Sequence, residues 1–255
     1  MSTITVTVDH SVGNGMRLDL YCLQKDNLLT RSCLKNRTES ITVNGVPAKF
    51  SRTVRLGETI TILLREPVVK TIEPEDIPLR ILFENEFVTV VNKRQGMVTH
   101  PAVGNWSGTL VHALLWHWGR ESPIDDYRTG IVHRLDKDTS GVIITAKDVK
   151  VEEELRAAFK NHQVKKKYIA ILCGVPKEFS GIIETQIQRD PRNRKRFTWS
   201  INTEKGKYAK TSYRVVKVID NYSLVSFTLH TGRTHQLRVH AKYLGTPILG
   251  DPIYG

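Results

Sequence analysis

Strand patterns that follow one another, rather than alternating with helices, most constrain what this chain can fold into. From Ile81 onward the chain holds short runs rich in β-branched and aromatic residues, which read "ILFEN", "FVTVVNK", "GIVHRL", "GVIITAK", "KKYIAILCG", "KTSYRVVKVI" and "YSLVSFTLH". Helical spacing is found chiefly in "GTLVHALLWHWG" and "DVKVEEELRAAFKNH". Because strands mostly follow strands, we predict an α+β domain with a large mixed, mainly antiparallel sheet, and no regular βαβ winding.

The first part of the chain has a different pattern and predicts a separate small module. Its apolar residues first follow helical spacing, in "GMRLDLYCLQKDNLLTRSCLKNRTES", and then alternate as in short strands, with Asn44-Gly45 as a hairpin turn. A proline-containing stretch without clear periodicity follows. We predict a small α/β module over residues 1–66, a linker over 67–79 and a larger domain over 80–255.

The charge of the chain favours an anionic partner. Lysine and arginine exceed aspartate and glutamate by 38 − 26 = 12 residues. Between Gln186 and Arg214, nine basic residues stand against two acidic ones, with Phe197, Trp199 and Tyr208 among them. Basic side chains interleaved with aromatic ones are typical of surfaces that bind nucleic acid. A lysine-rich face that is merely solvated is the alternative.

Cysteine usage and hydropathy bear on where the protein works. Three widely spaced cysteines, Cys22, Cys33 and Cys173, form neither a metal-binding pattern nor an even-numbered disulfide framework. No apolar run approaches the roughly 20 residues that span a bilayer. The N-terminus, "MSTITVTVDH", alternates like a strand and does not resemble a signal peptide. We expect a cytoplasmic protein without a membrane partner.

One polar loop raises the question of chemistry. In "GIVHRLDKDTSGVIITAK", residues 130–147, Asp136 lies between two apolar runs. The kinase catalytic loop is excluded because Leu135 separates the arginine from the aspartate, and Ser140 lacks the glycine pattern around a serine nucleophile. A metal site is not expected from the regularly spaced histidines His230, His235 and His240.

The stretch from Leu229 to Gly255 is dense in glycine, histidine and arginine, yet interleaved with leucine, valine and isoleucine. Arg233 and Arg238 are therefore expected on a partly buried segment. A buried guanidinium needs an anionic partner, because an unpaired buried charge is costly. Phosphate and carboxylate are both open as that partner, and so is a plain structural salt bridge.

Three long motifs, in this order, carry a family resemblance. "HRLDKDTSG", "KKKYIAILCG" and "TGRTHQLRVHAKYLGTPILGDPIYG" resemble the RluA family of pseudouridine synthases, from about Ile77 to the last residue. The earlier "NKRQGMVTHPAVGNWSGTLVHAL" resembles that family's first motif, with Arg94 where the family usually has proline. Members ordinarily continue beyond "GDPIYG", so the resemblance implies a catalytic domain that is either truncated or naturally short. Residues 15–66, with "VNG", resemble the S-four type RNA-binding domain.

The resemblance implies an RNA pseudouridine synthase, which detaches a uracil from its ribose, turns the base and reattaches it through ring carbon 5. Asp136 would be the catalytic nucleophile, Arg238 would pair with it and favour its ionised form, and Tyr168 would pack on the target ring. Attack at the anomeric carbon and removal of a sugar proton are both open as the role of Asp136. Large-subunit ribosomal RNA is the expected substrate. The alternatives are a tRNA-directed synthase and a non-catalytic RNA-binding protein.

Further roles follow from the same resemblance. Arg134 would fill the space left by the extruded uridine, Leu237 would form an apolar wall, and His133 and Arg233 would also bind substrate. Neither a cofactor nor a metal is expected, and we expect a monomer. The side chains expected to contact RNA elsewhere are Arg17, Arg31, Lys35, Arg192, Arg194, Lys195 and Arg196.

Overall fold

A computed structural model describes residues 1–10, 15–25, 29, 31–66, 71–123, 129–193, 195–202 and 204–255. The chain divides into two compact units, Met1–Lys70 and Thr71–Gly255. The boundary falls inside the stretch 67–79, of which residues 67–70 lie outside the described residues. Each unit has a core of its own.

The first unit is a small antiparallel sheet with two short helices. Its elements are β1 (Ser2–Thr7), β2 (Met16–Arg17), α1 (Leu18–Lys25), α2 (Arg31–Arg37), β3 (Thr38–Val43), β4 (Val46–Pro47), β5 (Thr53–Val54) and β6 (Thr59–Leu64). The larger sheet has the order β1-β6-β3-β4, and β2 pairs with β5. The predicted turn between β3 and β4 is confirmed, with positive φ at Asn44 (52°) and Gly45 (80°) as this tight hairpin requires.

The second unit contains most of the strands. Its elements are β7 (Thr71–Ile72), β8 (Ile81–Glu84), β9 (Val88–Lys93), α3 (Leu110–Trp118), β10 (Ser122–Pro123), β11 (Gly141–Ala146), α4 (Val149–Lys160), β12 (Lys166–Cys173), β13 (Ser180–Arg189), β14 (Phe197–Ser200), β15 (Lys207–Ile219), β16 (Tyr222–Leu229) and α5 (Gln236–Tyr243). No helix in the described ranges is long and apolar enough to cross a membrane.

The strands of the second unit pair antiparallel throughout its described part. Five of them form a sheet in the order β12-β16-β15-β13-β14, three form a sheet in the order β11-β9-β8, and β7 pairs with β10. This confirms the α+β prediction with mainly antiparallel sheets. Each of the two larger sheets has its own cluster of buried apolar residues, and Tyr168 of β12 packs against both clusters. Tyr168 therefore lies where the two cores meet.

The prediction of a strand at "GIVHRL" is wrong. Only Ile131 forms a bridge there, with Thr145. Gly130 has a φ of 76°, and a Cβ at this position would lie 2.0 Å from the carbonyl oxygen of Ala146. The backbone therefore makes a close left-handed turn at Gly130, where its N–H donates to the buried Glu152 carboxylate at 3.0 Å. This turn takes the following residues, Asp136 among them, out of the sheet.

Helix α5 is not among the helices predicted from the sequence. His235, just before it, is left-handed with a φ of 57°. The buried Gln236 side chain accepts from the backbone N–H of Arg233 and the hydroxyl of Thr231, at 2.9 and 2.8 Å, and donates to the hydroxyl of Thr211 on β15. Hydrogen bonds to a distant strand therefore fix the start of α5, which carries Leu237 and Arg238.

Candidate active site

The loop that holds Asp136 is anchored at Leu135, which precedes it. Leu135 is buried in the core of the three-stranded sheet, beside Met97 and Ile143. Its carbonyl oxygen accepts from the hydroxyl of Thr99 at 3.2 Å. The Asp136 carbonyl accepts from the N–H of Thr139 at 3.1 Å, which closes a tight turn. The Asp136 side chain is 23% exposed, so solvent and a ligand can reach its carboxylate.

A fully buried lysine, Lys93 at the end of β9, ties this loop to its neighbour. Its ammonium donates to three backbone carbonyls, those of Arg94, Met97 and Lys137, at 3.0, 2.8 and 3.2 Å. Burial lowers the pKa of Lys93 to about 8, against the attraction of the acidic side chains Asp138 and Asp136. Lys93 thus fixes the backbone one residue after Asp136.

Helix α5 brings a guanidinium and an imidazole to the Asp136 carboxylate. Nη1 of Arg238 lies 3.6 Å from Oδ2 of Asp136, and Nε2 of His235 lies 4.0 Å from the same oxygen. The Arg238 side chain is 14% exposed. Arg238 and Asp136 therefore form an ion pair, although their separation of 3.6 Å is too long for a hydrogen bond.

The hydrogen bonds of Arg238 go to a different carboxylate, Asp251. Nε and Nη2 donate to its two oxygens at 2.7 and 2.8 Å, a bidentate pair. Oδ1 of Asp251 also accepts the backbone N–H groups of Ile253 and Tyr254. Although burial opposes ionisation of Asp251, these four donors lower its pKa. The predicted pairing of Arg238 with Asp136 is therefore present as an ion pair through Nη1, at 3.6 Å, and Asp251 is a second carboxylate partner that takes the hydrogen bonds of Nε and Nη2.

Tyr254 completes the surroundings of the guanidinium. Its ring centroid lies 4.9 Å from the Arg238 guanidinium carbon, and its hydroxyl lies 2.9 Å from Nδ1 of His235. The same hydroxyl accepts the backbone N–H of Phe197 at 2.8 Å. Burial lowers the pKa of His235, with Asp136 opposing that shift, so the imidazole is neutral at physiological pH.

Tyr168 presents a neutral phenol that is close enough to Asp136 to be affected by its charge. Its side chain is half-buried on β12, and burial, with the Asp136 charge, raises its pKa. Leu237 packs against the same apolar cluster as Tyr168. A carboxylate, a fixed guanidinium, a neutral phenol and an apolar wall together can hold a flat polar ring beside a carboxylate oxygen.

Comparison with known proteins shows the family of the chain. Residues 88–243, more than half of the chain, match the family described as RNA pseudouridylate synthase. The chain belongs to this family. It is 45% identical, over 98% of its length and 79% of the relative's, to an "Uncharacterized RNA pseudouridine synthase" of Chlorobaculum parvum. It is 42% identical, over 95% of its length and 76% of the relative's, to the "Ribosomal large subunit pseudouridine synthase D" of Borreliella burgdorferi.

A solved structure agrees with this assignment. Human RNA Pseudouridylate Synthase Domain Containing 1 matches 70% of each chain with a TM-score of 0.58 and 28% sequence identity. The RluA-type resemblance is thereby confirmed, and the protein is an enzyme, an isomerase that converts uridine in RNA to pseudouridine. RNA is its substrate.

Two residues predicted to bind substrate in the synthase have surroundings that differ from each other. Arg134 is exposed beside Asp136 and is available to a ligand. His133 is not: its Nε2 accepts the backbone N–H of Ile144 at 3.1 Å, and its ring stacks on Phe159 with centroids 4.5 Å apart. Burial lowers the pKa of His133 to about 4. The His133 ring therefore supports the loop through contacts with β11 and α4, and substrate binding by His133 stays a prediction.

The residues predicted to contact RNA elsewhere in the synthase are distributed over both units. Arg31 and Lys35 are exposed on α2, whereas Arg17 forms a bidentate pair with Asp19 at 3.0 and 2.9 Å. Arg192 and Lys195 are exposed between β13 and β14. Arg196 is half-buried over the Tyr254 ring, and Arg194 lies outside the described residues.

Sequence reasoning missed three residues of the site, namely Lys93, His235 and Asp251. Lys93 had a signal, because it continues the buried parity of Thr89 and Val91 on β9. A lysine at a buried strand position needs hydrogen-bond acceptors, because a buried charge without them is costly. Asp251 lies in a quoted motif, but only the fold brings it to Arg238. Within the described ranges, no group of histidine, cysteine, aspartate or glutamate side chains could hold a metal ion.

Proposed function

We propose that the synthase isomerises uridines of large-subunit ribosomal RNA. Three bacterial relatives support this substrate, since each is named "Ribosomal large subunit pseudouridine synthase D" and is 37–42% identical to the chain. They come from Borreliella burgdorferi, Zymomonas mobilis and Nitrosomonas europaea. The chain has 38 basic and 26 acidic residues, and this positive net charge suits a large polyanionic substrate.

Asp136 is the nucleophile in this proposal. The observation that carries it is the 3.6 Å separation between Oδ2 of Asp136 and Nη1 of Arg238, because it places a guanidinium directly beside the carboxylate oxygen that would attack. Arg238 keeps its position throughout the reaction because Asp251 holds its other two nitrogens. Tyr168 packs on the uracil ring, and Leu237 forms the apolar wall beside it.

The target uridine is extruded from its stack before it reaches Asp136. Extrusion costs a few kcal/mol of unstacking, and a side chain that fills the gap offsets part of that cost. Arg134 takes this role, since it is exposed two residues before Asp136 on the same loop.

The first unit serves as a second RNA contact, of the S-four type. Two short helices followed by the β3–β4 hairpin support this assignment, and Arg31 and Lys35 on α2 supply positive charge. We assign residues 1–66 to this domain, 67–79 to the linker and 80–255 to the catalytic domain. The three cysteines are free thiols in the structure, which suits the cytoplasm, where we place the enzyme as a monomer.

Replacing the proposed nucleophile tests the mechanism. Asp136→Asn is expected to abolish isomerisation while RNA affinity stays within about twofold, because the amide keeps the shape but cannot act as a nucleophile. Tritium release from ring carbon 5 of labelled uridine in a large-subunit ribosomal RNA transcript measures turnover. Asp138→Asn, an exposed acid on the same loop, is the matched control and should keep its activity. Undiminished release from Asp136→Asn would reject the assignment.

The choice of RNA is tested separately. Pseudouridines are mapped across all cellular RNA with the gene intact and with it deleted. Loss of one or a few positions in large-subunit ribosomal RNA is the expected result. Loss confined to transfer RNA would overturn the substrate but leave the role of Asp136 untouched.

A further inference from the structure

A pocket of about 370 Å³ lies between the β13–β14 hairpin and the turn that precedes α5. It is separate from the residues that surround Asp136. The side chains and backbone that define it come from three parts of the second unit and include Arg189, Phe197, Gly206, Lys207, Gly232 and Arg233.

Three cationic side chains, Lys166, Lys207 and Arg233, lie in or beside this pocket. Arg233 is oriented by one hydrogen bond, from Nε to the Tyr208 carbonyl at 2.8 Å. Lys166 lies close by, because its ammonium is 3.8 Å from the position that a Cβ on Gly232 would take. Burial lowers the pKa of Lys166, and the charge of Arg233 lowers it further. In the described part of the chain, neither Lys166, Lys207 nor Arg233 forms an ion pair with a carboxylate.

Positive charges that lie close together in a half-buried place repel each other, so each makes it less favourable for the other to be charged. An anion bound between them removes this repulsion. A guanidinium oriented by one nitrogen leaves its two terminal nitrogens to donate, and phosphate oxygens are well suited to accept from that fork. The charge at the pocket therefore suits a phosphodiester.

The pocket also has a wall on which a base can stack. The ring of Phe197 has the guanidinium of Arg189 over it, with the guanidinium carbon 5.4 Å from the ring centroid. Aromatic rings and arginine planes are the two surfaces on which unpaired bases stack in single-stranded nucleic acids. A phosphate partner and a stacking wall in one pocket together fit a nucleotide.

The same phenylalanine joins this pocket to the Asp136 site. Its ring centroid lies 5.4 Å from that of His235, whose Nε2 is 4.0 Å from Oδ2 of Asp136. One ring therefore separates the pocket from the residues around the carboxylate. An RNA strand with its target uridine at Asp136 can therefore place a neighbouring nucleotide in this pocket.

We infer that this pocket binds the nucleotide next to the target uridine, with its phosphate on Arg233 and Lys207 and its base against Phe197. The inference rests on the proposed reaction at Asp136 for the meaning of "target". It adds a contact by which the synthase reads the unpaired strand beside the uridine that it modifies.

The phosphate contact is tested by the salt dependence of binding. Fluorescently labelled decauridylate is titrated with the full chain at several salt concentrations, and the slope of log affinity against log salt is measured. Arg233→Gln is expected to weaken binding about tenfold at low salt and to reduce the slope by about 0.7, the value for one lost contact to a single strand. Lys217→Gln, an exposed lysine of β15 outside the pocket, is the control and should leave both unchanged. A slope for Arg233→Gln equal to that of the control would overturn the phosphate contact.

The stacking contact has a test of its own. The affinity for decauridylate is divided by the affinity for an abasic decamer with the same backbone. This ratio is expected to fall about fivefold in Phe197→Leu, since leucine keeps the apolar packing but offers no aromatic face. Tyr222→Leu, which removes an exposed aromatic ring at the opposite end of β15 and β16, should keep the ratio. An unchanged ratio in Phe197→Leu would overturn the base contact.

Turnover separates this inference from the reaction itself. In tritium release from the ribosomal RNA transcript, Arg233→Gln is expected to act through a KM about tenfold higher. A loss in kcat with an unchanged KM would move Arg233 into the chemistry and overturn the pocket's role. If the wild-type chain failed to isomerise uridine at all, the proposed reaction would fail, while both binding tests would still report on the pocket.

Discussion

At the scale of single residues, the site depends on how one arginine is shared between two carboxylates. Asp251 takes both strong hydrogen bonds of Arg238, and Asp136 receives only the longer ion pair at 3.6 Å. A nucleophile hydrogen-bonded to a guanidinium would be stabilised but also hindered in its attack. In the proposed reaction, the longer separation keeps the positive charge close and leaves the Asp136 oxygen free for the ribose or the base.

This division predicts the effect of replacing Asp251. Asp251→Asn should lower kcat on the order of 100-fold, because a guanidinium released from its bidentate partner no longer stays where Asp136 needs it. Arg238→Lys should cause a comparable loss, since an ammonium cannot form the fork. The double variant should be hardly worse than either single one, because both remove the same arrangement. Tritium release from labelled RNA measures all three, and additive losses would contradict the coupling.

At the level of single residues, the sequence motifs carried most of the information, and the roles that they imply stay predictions. Asp136, Tyr168 and Arg238 were named through the family resemblance, and the fold brings their parts of the chain together. Lys93 and Asp251 were missed because their partners are backbone carbonyls and a guanidinium that only the fold brings near. No local pattern encodes the hydrogen bonds from Lys93 to the Met97 and Lys137 carbonyls.

At the scale of elements, strand alternation predicted most of the sheet correctly, because a strand with one buried face repeats every second residue. It failed at residues 130–135, where the apolar run resembles a strand but Gly130 turns the chain away. Helix α5 was also missed. Its start is fixed by tertiary hydrogen bonds of the Gln236 side chain, which the sequence does not show. Both failures concern the segments that carry Asp136 and Arg238, where the backbone departs from regular secondary structure.

The packing of α5 predicts a stability that depends on pH. His240 is fully buried, its two ring nitrogens lie 3.0 and 2.8 Å from the hydroxyls of Thr185 and Thr211, and burial lowers its pKa to about 4. An unfolded histidine titrates near about 6.5, so the unfolded state binds more protons between about pH 6.5 and 4. The free energy of unfolding should therefore fall as pH falls through this window, by on the order of 3 kcal/mol from His240 alone.

Urea unfolding at several pH values checks this expectation. His240→Gln cannot titrate there, so its stability should depend on pH less steeply than that of the wild type, by about one proton. The buried His133 still titrates in both proteins and serves as the internal reference. Equal pH slopes in wild type and variant would contradict the assignment to His240.

At the scale of the whole molecule, each of the two units has its own core and its own set of basic side chains. Two separate contacts on one RNA raise the effective concentration of each, so a modest second contact has a large effect on overall affinity. The first unit's contribution should therefore appear in binding rather than in the chemical step.

This predicts a graded response to charge removal on the first unit. The double variant Arg31→Gln/Lys35→Gln should raise KM for a ribosomal RNA transcript and reduce the salt slope of binding by about 1.5, since it removes two exposed cations. Arg17→Gln should reduce the salt slope less than Arg31→Gln alone or Lys35→Gln alone, because Asp19 already neutralises Arg17. Titrations in a salt series check both, and an equal effect of all three positions would contradict the role of the Asp19 pair.

The Asp251 hydrogen bonds also predict an order of events while the chain is being made. A ribosome makes Asp136 long before Arg238, and it makes Asp251 after both. Until Asp251 is available, no buried carboxylate holds the guanidinium that faces Asp136. A growing chain can fold its first unit and much of its sheet during synthesis. We expect it to have no isomerase activity before Asp251 has been made and can bind Arg238.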